Sequence, residues 1–238
     1  LIACGTAGGI AAAFHTPLAG VIFAMEVIIA EYTVAGFIPV LLASVAASAV
    51  SRTLSGGEAL LSIPVADMKS LWEIPYIVLL GLACGIAIAL FIRVLSFTAK
   101  YAHWPVAVRF SLAGCFTGAI ALAVPQTLGL GYDSLGLVLD NQFLAGTLLL
   151  FALCKILATA VTCGAGLPVG LIGPSLLIGA CIGGALGEIG QQVRPDLASA
   201  NSMYIAIGMA AAMGAILNAP LAAVLAVIEL TQSINIAM

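Results

Sequence analysis

Charge is scarce in this chain. Only 7% of its 238 residues are Asp, Glu, Lys or Arg, against about a quarter in an ordinary soluble domain. Mean hydropathy is +1.24, so the exterior is built for lipid, and the chain reads as an integral membrane protein. The alternating polar pattern of an outer-membrane barrel is also missing. That leaves helices as the way to satisfy backbone groups inside a bilayer. No basic patch is available for nucleic acid, and the net charge of −3 is made of scattered residues. The cysteines Cys4, Cys84, Cys115, Cys154, Cys163 and Cys181 form no CxxC pair, and all lie in apolar stretches as small packing residues. The two histidines, His15 and His103, are far apart. With no HExxH, phosphate loop or nucleophile elbow, no enzyme constellation is present, and neither a cofactor nor a metal site is expected. No charged segment or cleavage site precedes the first apolar run, so no signal peptide is visible. The opening at Leu1, in mid-helix pattern, and the stop at Met238 read as the ends of a fragment.

What the chain does have is an internal repeat. GTAGGIAAAFHTPLAGVIFAMEV from Gly5 is matched, 203 residues on, by GMAAAMGAILNAPLAAVLAVIEL from Gly208. Gly5 pairs with Gly208, Pro17-Leu18-Ala19 with Pro220-Leu221-Ala222, and Glu26 with Glu229. In each copy a lone glutamate follows the proline by nine residues. Repeats in an apolar chain are typical of transport folds built from two related halves around a central site.

A bilayer crossing needs about 20 helical residues. Residues 1–25 contain His15-Thr16-Pro17, where a helix must stop. This predicts one helix to about Phe14 and a second from Pro17 to Glu26. Spans follow at 34–51, 72–100 and 110–124, with a polar connection at 51–70 and a break at Pro125 to Asp133. Arg93, Lys100 and Arg109 make 93–109 the most basic loop and place it in the cytoplasm. Residues 141–187 carry one charge, Lys155, and are interrupted by GAGLPVGLIGP at 164–174. A polar loop at 188–203 leads to the second copy, which breaks at Asn218-Ala219-Pro220. In all, about eleven helical segments are expected.

Three features could carry chemistry. The glycines and prolines of 164–174 permit close backbone approach, and a helix beginning near Leu171 would aim free N–H groups inward as an anion site. The same residues could equally form a simple hinge. Glu26 and Glu229 are carboxylates in apolar surroundings, either on a proton path or hydrogen-bonded to neighbouring helix N-termini. Lys155 sits mid-span, either raising the local potential for an anion or pairing with a carboxylate. His15 fits a neutral capping role better than proton transfer, since its counterpart is Asn218.

The segments AAAFHTPLAGVIFAMEV, GAGLPVGLIGPSLLIGACIGGALG and NAPLAAVLAVIEL, in this order and spacing, resemble landmarks of the CLC family of chloride channels and anion/proton exchangers. The resemblance covers essentially the whole chain. It implies an all-α membrane fold of short, tilted and broken helices in two inverted-topology repeats, and a homodimer with one anion path per subunit. Residues 1–55 would end the first repeat, 56–71 would connect, and 72–238 would form most of the second. The family's GxFxP motif corresponds to Gly170-Leu171-Ile172-Gly173-Pro174, with Ile172 where Phe is usual. The amides of Leu171 and Ile172 would line the anion site. The adjacent glutamate pair of proton-coupled members reads Glu26-Val27 here, which is similar to channel members. The GSGIP-type loop and the GREGP-type segment with its gating glutamate would lie before Leu1, and the pore-lining tyrosine after Met238. The helices ending at Glu26 and Glu229 resemble those at the dimer interface, with Leu18, Ile22, Leu221 and Leu225 as contacts. The expectation is therefore permeation of a small anion, most simply chloride, in a plasma membrane or bacterial inner membrane. A chloride/proton antiporter and a non-conducting dimerisation scaffold are the alternatives.

Overall fold

The computed structural model describes residues 1–55, 68–129, 131–140, 143–195 and 197–231. Most of the connection expected at 56–71, and the apolar stretch after Thr231, lie outside the described residues. Among the described residues there are ten α-helices and no strand: α1 (Ile2–Phe14), α2 (Pro17–Phe23), α3 (Val34–Ser55), α4 (Ile74–Ala99), α5 (Val106–Ala123), α6 (Tyr132–Leu139), α7 (Ala145–Gly164), α8 (Ile172–Val193), α9 (Asn201–Leu217) and α10 (Pro220–Thr231). Short 3₁₀ turns flank α4 at Leu71–Glu73 and Lys100–His103. Five helical stretches are long and apolar enough to cross a membrane, and four others are shorter apolar helices. The chain falls into two compact units, one of residues 1–67 with 213–238 and the other of residues 68–212.

In the first unit, the helix break is written in three residues. Pro17 cannot continue α1, and it is placed instead at the first position of α2, where its missing N–H costs nothing. Thr16 before it leaves the helical region at φ −115°, ψ 76°. His15 closes α1 in the left-handed region at φ 56°. Asn218 does the same at φ 52° before Pro220, so both copies of the repeat use a residue type that tolerates this conformation. A π-helical segment, Ala24–Ile29, carries α2 past Glu26, where the sequence suggested its end, to left-handed Ala30. The apolar run Val27-Ile28-Ile29 lets the helix go on without exposing a polar group to lipid.

Small residues let these helices touch backbone to backbone. A Cβ on Gly20 would stand 2.6 Å from the Ala7 carbonyl oxygen, so α2 packs on α1 only because residue 20 has no side chain. The core joins Ala3, Ala7, Val21, Ala24, Met25 and Val40. Serines on α3 serve the broken helices: Ser44 Oγ donates to Pro17 O at 2.7 Å, and Ser51 Oγ to Ala12 O at 2.7 Å.

The second unit is arranged around α8, whose side chains are buried over most of its length. It packs against α4, α6 and α7. Gly179 and Gly183 face Gly208 and Tyr204 of α9 so closely that an added Cβ at either position would collide with backbone carbonyl oxygen. The thiol of Cys84 on α4 reaches the Gly208 carbonyl at 3.7 Å. The polar loop expected at 188–203 begins later, because α8 runs on to Val193. Its glutamines find acceptors: Gln192 Nε2 donates to Glu188 Oε1 one turn back at 3.2 Å, and Gln191 Nε2 donates to Ser199 O, beyond the helix, at 3.0 Å.

Glu73, 4% exposed at the head of α4, was not singled out from sequence. Its carboxylate accepts from Ser199 Oγ at 2.9 Å and Tyr204 OH at 3.2 Å. Tyr76 OH meanwhile donates to Leu186 O at 2.6 Å. A buried carboxylate is tolerated because each oxygen has a donor. This cluster anchors the start of α4 to α8 and the segment before α9.

The glycine contacts make a graded prediction. Gly208→Leu should lower stability by about 1–3 kcal/mol or more, since neither backbone can retreat. Gly85→Ala, where the new Cβ meets nothing within 4 Å, should be neutral within about 0.5 kcal/mol. Thermal unfolding of the purified full-length protein in detergent would compare the two.

Candidate functional site

The Gly/Pro break lies between α7 and α8. α7 ends at Gly164, where a Cβ would strike the Thr98 hydroxyl and the Leu95 carbonyl of α4. Gly166 follows at φ 90°, a left-handed turn that any side chain would strain. The chain then re-enters a helix with Leu171 as the N-cap residue, and the ladder closes through Ser175 N to Leu171 O at 3.1 Å. Ser175, fully buried, turns its hydroxyl back onto Ile172 O at 2.8 Å.

The consequence is electrostatic. The first-turn N–H groups of a helix have no acceptor within the helix, and α8 has no side-chain cap. Pro174 brings no N–H, so the donors concentrate on Leu171, Ile172 and Gly173. They lie at the positive end of a 22-residue helix that is embedded in protein along most of its length. Gly170 is exposed, and an added Cβ there would meet nothing within 4 Å. The five residues suggested from sequence are therefore contiguous at one helix start, with open space at Gly170 and a closed, buried flank at Gly173 and Pro174.

Lys155, 2% exposed on α7, donates through Nζ to the carbonyl oxygens of Thr127 at 2.9 Å and Gly129 at 2.8 Å. The Lys155 head is thus held by backbone carbonyls at and just after the Pro125–Thr127 turn, not by a carboxylate. Ser134 Oγ adds a bond to Gln126 O at 3.0 Å.

The two glutamates are arranged reciprocally. Glu229 accepts the N–H groups of Leu18 at 3.0 Å and Ala19 at 2.8 Å. Glu26 accepts those of Leu221 at 3.3 Å and Ala222 at 2.9 Å. These are equivalent positions in the two copies. Each carboxylate, near the end of its own helical segment, caps the first turn of the other, so α2 and α10 run antiparallel. The sequence copies run in the same direction along the chain, yet their helices are inverted in space.

The apolar residues proposed as subunit contacts sit on the same two helices. Leu18 and Leu221 are 50% and 57% exposed, and Ile22 and Leu225 are half-buried. His15 lies in the break itself, with Nδ1 buried and unbonded, while its carbonyl accepts from Arg52 Nη2 at 3.4 Å. Among the described residues no cluster of three His, Cys, Asp or Glu is arranged to hold a metal.

Arg109 was read from sequence only as part of a basic loop. Its guanidinium lies against Gly166, with Nη1 3.2 Å from where a Cβ would stand. The positive φ of that glycine could not have been paired with a distant arginine from sequence alone.

Comparison with known proteins gives a consistent picture. A ClcB-like protein of Ralstonia nicotianae is 33% identical over 242 residues, covering 100% of this chain and 56% of its own length. The H(+)/Cl(-) exchange transporter ClcA of Vibrio cholerae is 32% identical over 247 residues, covering 99% of this chain and 52% of its own. The fold matches the crystal structure of a slow cyanobacterial Cl-/H+ antiporter with a TM-score of 0.84 at 24% identity, over 99% of this chain and 57% of that one. The chain thus spans about half the length of the relatives it matches. The family model described as voltage gated chloride channel matches residues 1–238, and the chain belongs to that family.

Proposed function

We propose that this chain supplies part of the path by which a small anion, chloride first, crosses a membrane, with Leu171, Ile172 and Gly173 presenting backbone N–H groups to the ion. The observation that carries the reading is the uncapped start of α8. Among the described residues, the helix starts of α2, α8 and α10 each carry a proline in their first turn after a helix break. Those of α2 and α10 are closed by Glu229 and Glu26, whereas the donors of α8 are open. A chloride there would exchange its hydration shell for N–H dipoles, and Lys155 in the same unit adds positive potential. Selectivity then follows from dipoles and width rather than from a bare charged ring. The path would be completed by protein outside this chain, in a homodimer with one path per subunit.

Channel-like or weakly coupled permeation is favoured over tight proton exchange. Both oxygens of Glu26 and of Glu229 accept backbone N–H groups, and a proton on either carboxyl would turn an acceptor toward a donor. Val27 provides no second acid beside Glu26. The antiporter alternative draws its support from the printed names of relatives, one being an H(+)/Cl(-) exchange transporter. A scaffold without conduction would have no use for open donors at α8.

In liposomes containing the full-length parent protein, Gly170→Trp should cut chloride efflux at least tenfold without lowering thermal stability, because residue 170 borders open space. Unchanged flux would remove the anion site from this helix start. An imposed chloride gradient should drive little or no uphill proton movement, and robust proton pumping would favour the exchanger.

The glutamates are separable by the same assay. Glu229→Ala leaves two first-turn donors unpaired and should cost about 2 kcal/mol of stability. The ratio of protons to chloride should not change. A changed ratio at preserved stability would return Glu229 to a proton path.

A further inference from the structure

A cavity of about 560 Å³ opens between the C-terminal end of α4, the start of α5 and the end of α7. It lies within the second unit and is separate from the start of α8. Its volume is that of a small-molecule site, for which roughly 300–1,000 Å³ is usual. The walls are apolar, with Leu112, Phe116 and Val161 on α5 and α7. At one end stand Tyr101, Trp104 and Arg109. Arg109 is half-buried, and its Nε is buried without a hydrogen-bond partner.

We propose that this cavity holds one anionic phospholipid, with its phosphate on the Arg109 guanidinium and an acyl chain along Leu112, Phe116 and Val161. Three independent features carry this. First, a buried guanidinium nitrogen lacking an acceptor is costly, and two oxygens of a phosphate can accept together from the planar guanidinium fork, as a single water in an apolar cleft does not. Second, charge complementarity is one-sided. Between Glu73 and Asp133 there is no acidic residue, while Arg93, Lys100 and Arg109 all fall in that interval. A basic pocket between membrane helices at a cytoplasmic boundary suits an anionic headgroup. Third, Tyr101 and Trp104 stack edge to face with centroids 5.1 Å apart, and both are about 40% exposed. Such rings settle at the level of lipid headgroups. A soluble anion would gain nothing from the apolar walls, and a neutral hydrocarbon would leave Nε unpaired. An amphiphile with one anionic group satisfies both ends.

The full-length parent protein, stripped of lipid in mild detergent, would be titrated with dioleoylphosphatidylglycerol, dioleoylphosphatidylcholine and inorganic phosphate, and adducts counted by native mass spectrometry. Phosphatidylglycerol should add one tight lipid per chain and bind at least tenfold better than phosphatidylcholine. Inorganic phosphate should not displace it. Arg109→Gln should lose that adduct at least tenfold, Arg109→Lys should keep part of it, and Arg93→Gln, at an exposed position, should behave as wild type. Cys115, exposed on the cavity wall, gives a reading without any change at Arg109. Its maleimide labelling, followed on its own peptide, should slow several-fold on adding phosphatidylglycerol. Equal adducts in Arg109→Gln and wild type, or displacement by inorganic phosphate, would overturn the proposal. So would a Cys115 already shielded in the lipid-free protein, since another segment of the parent would then fill the cavity.

Discussion

Every start of a helix inside a bilayer leaves backbone N–H groups that lipid cannot accept, and this constraint organises the chain. Unsatisfied groups cost several kcal/mol each in hydrocarbon, so a fold of short, broken helices must find an acceptor at each break. At α2 and α10 the acceptor is covalent property of the chain: Glu229 and Glu26. At α8 the N-cap residue Leu171 makes no side-chain cap bond, and among the described residues no side chain accepts from Leu171, Ile172 or Gly173. One chemical problem is thus solved by a fixed carboxylate at α2 and α10 and left without one at α8.

The same economy of polar groups appears elsewhere. Lys155 donates hydrogen bonds to two carbonyl oxygens at a turn, and the Glu73 carboxylate accepts from two hydroxyls. Serines on α3 return hydrogen bonds to the carbonyls around the first break. Close approach is managed by glycine, as at Gly20, Gly179, Gly183 and Gly208. Small residues and paired polar groups together replace the hydrophobic driving force that is absent between helices in lipid.

Much of this was legible in sequence, and the reason is local. His15-Thr16-Pro17 and Asn218-Ala219-Pro220 dictate their own breaks, because proline constrains itself and its predecessor. The start of α8 near Leu171 follows from the Gly/Pro run in the same way. Boundaries set by longer-range satisfaction were less visible. The π-helical segment beyond Glu26 and the extension of α8 to Val193 depend on what surrounds each helix. Which donors Glu26 and Glu229 reach, and which carbonyls hold Lys155, required the positions of residues far away in the chain. Glu73 and Arg109 drew little notice because each is an unremarkable charge beside an apolar span, and their roles arise only where α4, α8 and α9, or α4, α5 and α7, converge.

The reciprocal caps also set an order of events in synthesis. The bonds between them join residues 195 to 211 positions apart. At about 5–20 residues per second, roughly ten to forty seconds separate the emergence of Leu18 from that of Glu229. Throughout that interval α2 has a bare N-terminus and Glu26 a bare charge, and neither is at home in hydrocarbon. Until then the N–H groups of Leu18 and Ala19 have to find another acceptor, such as water. They are clasped only when the second copy arrives.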